Sequence, residues 1–292
     1  MSDAAIDSKK SGRSPLSDST AATHLYFNVF ERVIHVACSS ERGAFLLNSV
    51  YAEFRHHEHS ADLAFELSEN ASGIFHLTNP DGETIVADGE ADLIYFFEKE
   101  LTIALEKQRS DLFFIHGAVL HRHGKTIGLI APSGSGKSTT AWALLHHGFA
   151  YLSDELIPVD LETMQVVPYP HALCVKKDPP APYILPEGTL RLGWTIQVPT
   201  RALPAPVHKT PVQLTHLLFV RYDPTASAPR LTPVPTGQAA LHIYTNGLNQ
   251  LAHQNGGLPA AARIAERTQA SNLVTADLEA SAKFVIEQLD AI

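Results

Sequence analysis

A glycine-rich run in the middle of the chain has the residue types and the spacing of a phosphate-binding P-loop (Walker A motif). It lies between an apolar run, residues 126–130, and a helix-forming run, residues 140–145. The order of strand, glycine-rich turn and helix is the context that such a motif requires. The run has Ala where the first glycine usually stands, and it reads Ala131-Pro132-Ser133-Gly134-Ser135-Gly136-Lys137-Ser138.

The chemistry of phosphate binding explains these residue types. Gly134 and Gly136 can adopt positive φ and carry no Cβ, so successive backbone N–H groups can point at phosphate oxygens at the positive end of a helix. Lys137 brings a positive charge to the β- and γ-phosphates, and the Ser138 hydroxyl can ligate Mg²⁺. We therefore predict a nucleotide site formed by Ser133, Gly134, Ser135, Gly136, Lys137, Ser138 and Thr139.

Two acidic residues, Asp154 and Glu155, follow the next apolar stretch, residues 149–153. A helix over residues 137–147 descends about 16 Å, and five strand residues climb back by about the same distance. If that strand runs parallel to the strand before the loop, both carboxylates return to the level of the phosphates. Carboxylates there can hold Mg²⁺ or accept a proton from an attacking hydroxyl. The competing interpretation is a solvated acidic turn.

His116 lies in the apolar stretch that leads towards the glycine-rich run. A histidine on a strand is often a hydrogen-bonded structural residue, which is one interpretation. Its position before the loop equally favours a catalytic or phosphate-contacting role, in which it would tune the charge of the acidic pair. A separate histidine-rich run, residues 56–59, has metal-type ligands but lacks the spacing of a known zinc site.

The first third of the chain has a mixed pattern without a chemical motif. Residues 1–22 are rich in Ser, Asp, Ala and Lys, and we expect a disordered tail there. For residues 23–110 we predict a small α+β domain, because strand-like stretches are interspersed with two amphipathic helices. Strands are expected over residues 25–29, 33–36, 74–77 and 84–86, and helices over residues 44–54 and 91–107.

Residues 111–292 are predicted to form an α/β domain that positions the glycine-rich loop and the acidic pair. A Pro-rich stretch at residues 168–211 is expected to form long loops, which often shape substrate sites. Basic residues in this stretch that could contact phosphate or an acidic substrate are Lys176, Lys177, Arg191, His208 and Lys209. Strands are expected over residues 112–115, 117–120, 126–130, 149–153, 156–160 and 217–220, and helices over residues 137–147, 239–251 and 277–289.

The composition narrows the class of protein. The chain has 292 residues, of which 45% are hydrophobic and 18% charged, as in soluble globular proteins. The net charge of −9 does not favour nucleic acid or an anionic membrane as a partner. The two cysteines form no disulfide framework, no stretch has the roughly 20 apolar residues of a membrane span, and no signal-peptide core is found. We expect a cytoplasmic protein.

The stretch from His116-Gly117-Ala118 through the glycine-rich loop to Asp154-Glu155 resembles the catalytic domain of HPr kinase/phosphorylase. That family has a His-Gly element before the loop and an acidic pair after the next strand. The chain is most similar to the HPr-kinase-related kinases of peptide-modification gene clusters, including those that tailor lasso peptides. The close similarity covers residues 114–160, whereas residues 217–222 and the region of Asn246 match loosely. The pair is Asp-Glu here rather than Asp-Asp, and the glycine-rich signature that follows the catalytic segment of HPr enzymes is absent from the sequence.

This resemblance implies an α/β fold, namely a P-loop kinase domain of the HPr kinase type with a smaller N-terminal α+β domain. It implies an ATP- and Mg²⁺-dependent transferase that phosphorylates a serine of a peptide or protein, a ribosomal precursor peptide being one such acceptor. By position, Asp154 would be the general base and Glu155 an assisting or metal-binding acid, with Ser138 as the second metal ligand. His116 and Lys137 would be the other catalytic residues. An oligomer is compatible with this assignment.

Two other functions stay open at the level of sequence. One is a nucleotide-binding regulatory or assembly protein with little or no kinase activity, because a P-loop alone supports only binding. The other is phosphate transfer to a small molecule. A kinase requires a carboxylate close to the γ-phosphate, whereas a binding module does not.

Overall fold

The structure is a computed structural model that describes residues 22–57 and 60–291. The predicted tail, apart from Ala22, lies outside the described residues, as do Glu58 and His59 of the histidine-rich run. The described part of the chain has a mixed α/β architecture with six α-helices and four sheets. None of the helices in this part is long and apolar enough to cross a membrane.

The part before residue 111 is a five-stranded sheet with two helices. The sheet order is β1-β2-β3-β4-β5, and buried and exposed side chains alternate along most of these strands. The predicted elements are confirmed, except that the first helix stops at Val50 and a short 3₁₀ helix follows, and that β3 was not predicted. The bounds are β1 Thr23–Val29, β2 Arg32–Cys38, α1 Glu41–Val50, β3 Leu63–Glu69, β4 Phe75–Thr78, β5 Thr84–Ala87 and α2 Glu90–Gln108.

The part after residue 111 contains the other three sheets. Its elements are β6 Leu112–His116, β7 Ala118–Arg122, β8 Lys125–Ile130, α3 Lys137–Leu145, β9 Ala150–Ser153, β10 Leu156–Asp160, β11 Gln165–Val166, β12 Leu173–Val175, β13 Leu190–Arg191, β14 Ile196–Val198, β15 Val212–Gln213, β16 His216–Tyr222, β17 Arg230–Pro233, α4 Thr236–Thr245, α5 Leu258–Glu266, β18 Gln269–Thr275 and α6 Leu278–Asp290. Sequence patterns missed β17, α5 and β18. The predicted helix over residues 239–251 ends at Thr245, because the chain turns at Asn246 and Gly247.

A six-stranded sheet of order β17-β18-β16-β8-β7-β9 carries the glycine-rich loop at the end of β8. Strands β8 and β9 each pair antiparallel with β7 and therefore run in the same direction. Both faces of this sheet are buried: Leu129 packs in one cluster with α3 and α6, and Ile130 packs in another with α4 and α5. The condition on which the argument for the acidic pair depends, that the strands before the loop and before the pair run parallel, is therefore met.

A second sheet, of order β15-β11-β10-β6, lies between the six-stranded sheet and the N-terminal part. Phe113 and Ile115 of β6 pack with α4 and α5, whereas Leu112 and Phe114 join the apolar cluster of the N-terminal sheet. The outer edge of β6 is covered by the side chain of Asn249, which accepts from the Phe114 amide at 3.0 Å and donates to the Leu112 carbonyl at 2.8 Å. The two parts of the chain therefore share a continuous interior.

The second sheet and the six-stranded sheet are joined at two adjacent points. The chain passes from β6 to β7 at Gly117, and it returns from β9 to β10 at Asp154 and Glu155. The Gly117 amide donates to the Glu155 carbonyl at 3.2 Å, and His116 is the register partner of Leu156. This double crossing places the His-Gly element against the acidic pair.

The Pro-rich region does not consist of loops alone. Residues 173–198 contain a three-stranded sheet of order β12-β14-β13. Its strands are two or three residues long, so they are too short to show the two-residue periodicity by which strands are recognised in a sequence. The expectation of long loops holds for residues 176–189 and 203–211, and it was wrong for the strands β12, β13 and β14.

The crossing at Gly117 leaves no room for a side chain, which gives a test of the fold. A Cβ at this position would lie 2.5 Å from Cδ1 of Ile157 and 2.7 Å from the backbone oxygen of Leu129. Gly117→Ala should therefore lower the free energy of unfolding by roughly 1–3 kcal/mol, as overpacking of a core does. Urea denaturation measures this change.

The matched control is Gly237→Ala in the first turn of α4, where a Cβ would meet no atom within 4 Å. Because alanine favours helix over glycine, this variant should be neutral or more stable by up to about 1 kcal/mol. Equal effects of the two alanine substitutions would contradict the described crossing.

Candidate functional site

The glycine-rich loop, residues 131–138, connects β8 to α3. Gly134 has φ +83° and Gly136 has φ +90°, a conformation that side chains rarely adopt. Thr140 donates its amide to the Gly136 carbonyl at 2.8 Å, so α3 begins directly after the loop. The first backbone N–H groups of α3 have no partner within the helix, and they give this end of the loop the character of an anion site.

A buried ion pair lies beneath the loop. Nζ of Lys137 is 3.0 Å from Oδ1 of Asp154, and the hydroxyl of Ser138 donates to the same oxygen at 3.2 Å. The other carboxylate oxygen of Asp154 accepts from the backbone amide of Cys174 at 3.3 Å. Asp154 is fully buried, and Lys137 is 6% exposed.

Each charge of this pair determines the protonation of the other. Burial by itself raises the pKa of Asp154, but the ammonium of Lys137 outweighs it and holds that pKa below its usual value. Burial also lowers the pKa of Lys137, but the carboxylates of Asp154 and Glu155 outweigh it and keep that pKa above its usual value. Both residues are therefore charged at neutral pH.

Glu155 differs from its neighbour in exposure and in backbone conformation. Its φ is +69°, a left-handed value that is uncommon outside glycine, and its side chain is 30% exposed. Oε1 lies 3.5 Å from Nζ of Lys137, and Oε2 lies 3.4 Å from Nδ1 of His116. The turn between β9 and β10 thus points one carboxylate into the interior and the other into an open pocket.

His116 is held at the end of β6 and lines the same pocket. Its backbone amide donates to the Asn246 carbonyl at 2.8 Å, so the turn after α4 fixes its position. Burial has the largest effect and lowers the pKa of His116. The positive charge of Lys137 lowers this pKa further, and the negative charge of Glu155 opposes the two effects only in part. The imidazole is accordingly neutral at pH 7.

Two residues behind Asp154, His171 and Glu98, were not predicted from the sequence as part of the site. Nε2 of His171 lies 2.8 Å from the Asp154 carbonyl oxygen and 3.2 Å from Oε1 of Glu98 on α2. Because a carbonyl oxygen only accepts, Nε2 of His171 carries the proton. Burial raises the pKa of Glu98 to about 7. The N-terminal part of the chain thus reaches the backbone of the acidic pair through one histidine.

Two adjoining pockets meet at Glu155 and His116. The first, of about 300 Å³, is lined by the glycine-rich loop and by Lys176 and Lys177. Nζ of Lys176 donates to the Ser133 hydroxyl at 2.6 Å, so two further positive groups face the loop. The second, of about 490 Å³, continues from it along α2.

The structure brings most of the predicted site residues together. Asp154 and Ser135 do not line the first pocket, and Asp154 lies directly beneath it in contact with Lys137. Of the other basic residues, Arg191 pairs with Asp178 and Lys209 with Glu53, away from the loop. The predicted catalytic, nucleotide-binding and metal-binding residues that line this pocket are His116, Ser133, Gly134, Gly136, Lys137, Ser138, Thr139 and Glu155.

Comparison with known proteins assigns no family: no protein-family model matches the chain, and no curated protein matches it. Among residues 22–57 and 60–291, no group of three or more His, Cys, Asp or Glu side chains is arranged to hold a metal ion. The site therefore has to be interpreted from its own chemistry. It combines a helix N-terminus and lysines, which suit phosphate, with one buried carboxylate, one open carboxylate and a neutral histidine.

The Lys137–Asp154 pair allows a test by stability. Lys137→Met should lower the free energy of unfolding by about 3–5 kcal/mol, because it leaves the buried Asp154 carboxylate unpaired. Adding Asp154→Asn should restore part of that loss, because the unpaired charge is then gone. Urea denaturation of both variants gives the comparison. The control is Lys283→Met, whose exposed partner is Glu279, and it should leave stability nearly unchanged.

The free energies of unfolding of the wild type and of Lys137→Met should also depend differently on pH. In the wild type, the folded-state pKa of Asp154 is lowered, so its stabilisation is present above the unfolded-state pKa and is lost as pH falls through the folded value. In Lys137→Met, the main group that opposes the effect of burial is gone and the pKa of Asp154 rises, so stability is lost as pH rises above about 4. The difference in stability between the two proteins should therefore widen from about pH 4 to pH 7. A constant difference would contradict this pairing.

Proposed function

We propose that this protein is an ATP- and Mg²⁺-dependent kinase that transfers the γ-phosphate to a serine hydroxyl of a peptide or protein. The observation that carries the proposal is the position of Glu155. Its carboxylate lies 3.5 Å from the loop lysine and lines both the phosphate-type pocket and the larger pocket beside it. A nucleotide-binding module has no need of an open carboxylate between two pockets.

The residues present fit a nucleotide with Mg²⁺. The loop amides and Lys137 would hold the β- and γ-phosphates, with Lys176 and Lys177 at the rim of the pocket. The Ser138 hydroxyl and Asp154 Oδ1 are 3.2 Å apart, and both are hard oxygen ligands. Mg²⁺ bound there would be completed by phosphate oxygens and water, and it would neutralise charge on the transferring phosphate.

The geometry favours a different division of roles between the acidic residues from the one implied by family resemblance. Asp154 has both oxygens in hydrogen bonds and no exposed surface, which suits a residue that holds the Ser138 hydroxyl in place for the metal. Glu155 is open to the larger pocket, which suits a residue that meets the acceptor. We therefore assign Glu155 as the general base and Asp154 as the metal-side carboxylate.

In the chemical step, the acceptor oxygen forms a bond to the γ-phosphorus as the bond from that phosphorus to the β,γ-bridging oxygen breaks. ADP leaves with the electron pair, and the hydroxyl proton passes to the Glu155 carboxylate. His116, which is neutral and lies 3.4 Å from Glu155, orients that carboxylate. Lys137 offsets the negative charge that develops on the phosphate.

The proposed fold type is that of the HPr kinase catalytic domain. The support is local: a His-Gly element, a glycine-rich loop and an acidic pair meet at one crossing of two sheets. The N-terminal part, residues 23–110, contributes α2, which walls the larger pocket and contacts His171 through Glu98. We infer that this part binds the acceptor and takes no part in the chemistry.

The division of roles predicts different defects in two nearly isosteric variants. Glu155→Gln cannot accept the hydroxyl proton, so it should bind ATP normally and lose about 10²–10⁴-fold in kcat. Asp154→Asn should raise the Mg²⁺ concentration needed for half-maximal activity, because a metal ligand is weakened. The measurements are kcat, nucleotide affinity and Mg²⁺ dependence, with phosphate transfer to peptides followed by mass spectrometry.

The matched control is Glu279→Gln, an exposed change on α6 that removes the same charge from a carboxylate paired with Lys283. Because Glu279 lines neither pocket, this variant should retain all three parameters. The reverse pattern, with the loss of kcat in Asp154→Asn alone, would restore Asp154 as the base. Nucleotide binding without any phosphate transfer by the wild type would favour a regulatory or assembly protein.

A further inference from the structure

The larger pocket is a groove between α2 and the turn that joins β13 to β14. One helical face of α2 forms its first wall, and Trp194 and Thr195 form the opposite wall. Trp194 is held in place by a hydrogen bond from Nε1 to Asp92 at 3.1 Å and by an edge contact with Tyr95 at 5.9 Å between ring centroids. The volume of the groove, about 490 Å³, is within the range of ligand sites.

The groove gathers exposed apolar side chains that nothing in the described chain covers. Tyr95 and Trp194 are each 50% exposed, and Ile103 and Leu248 are also exposed. Large apolar groups clustered in a concave site with a polar rim mark a binding surface. The groove therefore suits an apolar or aromatic group of a ligand.

The position of the groove identifies which substrate it takes. It borders the glycine-rich loop only at Ser133, and it meets the phosphate pocket at His116 and Glu155. Glu155 lies 3.5 Å from Nζ of Lys137, which is the group expected to reach the β- and γ-phosphates. A molecule in this groove therefore faces the transferable phosphate, which is the place of the acceptor.

The charged groups that line the groove disfavour a peptide with acidic residues next to its acceptor serine. Besides Glu155, the carboxyl groups of Glu98 and Glu106 line the wall formed by α2. The lysines that also line the groove are engaged: Lys99 pairs with Glu100 at 3.7 Å, and Lys176 donates to the Ser133 hydroxyl at 2.6 Å. Burial raises the pKa of Glu106 to about 7, and the same burial disfavours the charge of a carboxylate brought in beside it. A second carboxylate brought into this groove would be repelled and desolvated.

We propose that the groove between α2 and the β13–β14 turn binds the acceptor peptide through a bulky apolar side chain within two residues of the acceptor serine. The proposal rests on the proposed kinase function and adds the sequence preference of its acceptor. Acidic residues at the same positions are excluded. Trp194 and Ile103 contact the apolar side chain, and Glu155 meets the hydroxyl.

Short peptides provide the test. Each has one serine among Ala, Gly and Lys, and a single Phe is moved through two positions on either side, with Ala and Asp counterparts. Binding is followed, in the presence of ADP and Mg²⁺, by the emission of Trp194; the chain's other tryptophan, Trp142, is buried in the core. At least one Phe peptide should shift this emission and bind about 10-fold more tightly than its Ala counterpart, and Asp should abolish binding.

Two variants locate the effect. Ile103→Asp places a charge in the groove and should remove the Phe preference while leaving nucleotide affinity unchanged. Leu251→Asp is the same kind of change at a fully exposed leucine outside the groove and should keep the preference. Equal binding of the Phe and Ala peptides, or an unaltered preference in Ile103→Asp, would overturn the proposal.

Phosphate transfer to the same peptides separates this inference from the function on which it rests. Transfer without any preference for Phe would support the proposed kinase function and refute the assignment of the groove to the acceptor. Binding with the Phe preference but without transfer would refute the kinase, and the groove would then be a peptide site of another kind. A shift of Trp194 emission by ATP alone would assign the groove to the nucleotide.

Discussion

An ammonium group and a fully buried carboxylate, those of Lys137 and Asp154, lie 3.0 Å apart where two sheets are joined. Neither charge could stay in the interior alone, because an unpaired buried charge is strongly destabilising. The pair therefore fixes the start of α3 against the end of β9. The loop, the Ser138 hydroxyl and the turn that carries Glu155 all take their positions from this contact.

The surroundings give two adjacent acidic residues opposite properties. Asp154 points inward and is held by the loop lysine, by Ser138 and by a backbone amide. Glu155 follows in a left-handed conformation, which turns its side chain towards His116 and the open groove. A single change of backbone direction thus separates a fully buried, paired carboxylate from one that lines an open pocket.

The sequence predicts the parts of the site that depend on local spacing. The glycines of the loop and the rises of one helix and one strand place Asp154 at the level of the loop, provided that β9 runs parallel to β8, because these rises are fixed by geometry. It could not predict the contact of His171 with Glu98, which joins residues more than seventy positions apart. Nor could it predict the groove, since Trp194 lies on a turn between strands too short to show a period.

The role of Asn249 has a consequence for the order in which the protein is made. Its side chain completes the edge of β6, the strand that carries His116, yet it follows Lys137 by about a hundred residues. During synthesis the N-terminal segments leave the ribosome first. The glycine-rich loop is therefore exposed to cellular nucleotide well before the strand beside it has its last partner. The glycine-rich loop proposed to bind phosphate can therefore emerge from the ribosome while β6 still lacks the partner that Asn249 supplies.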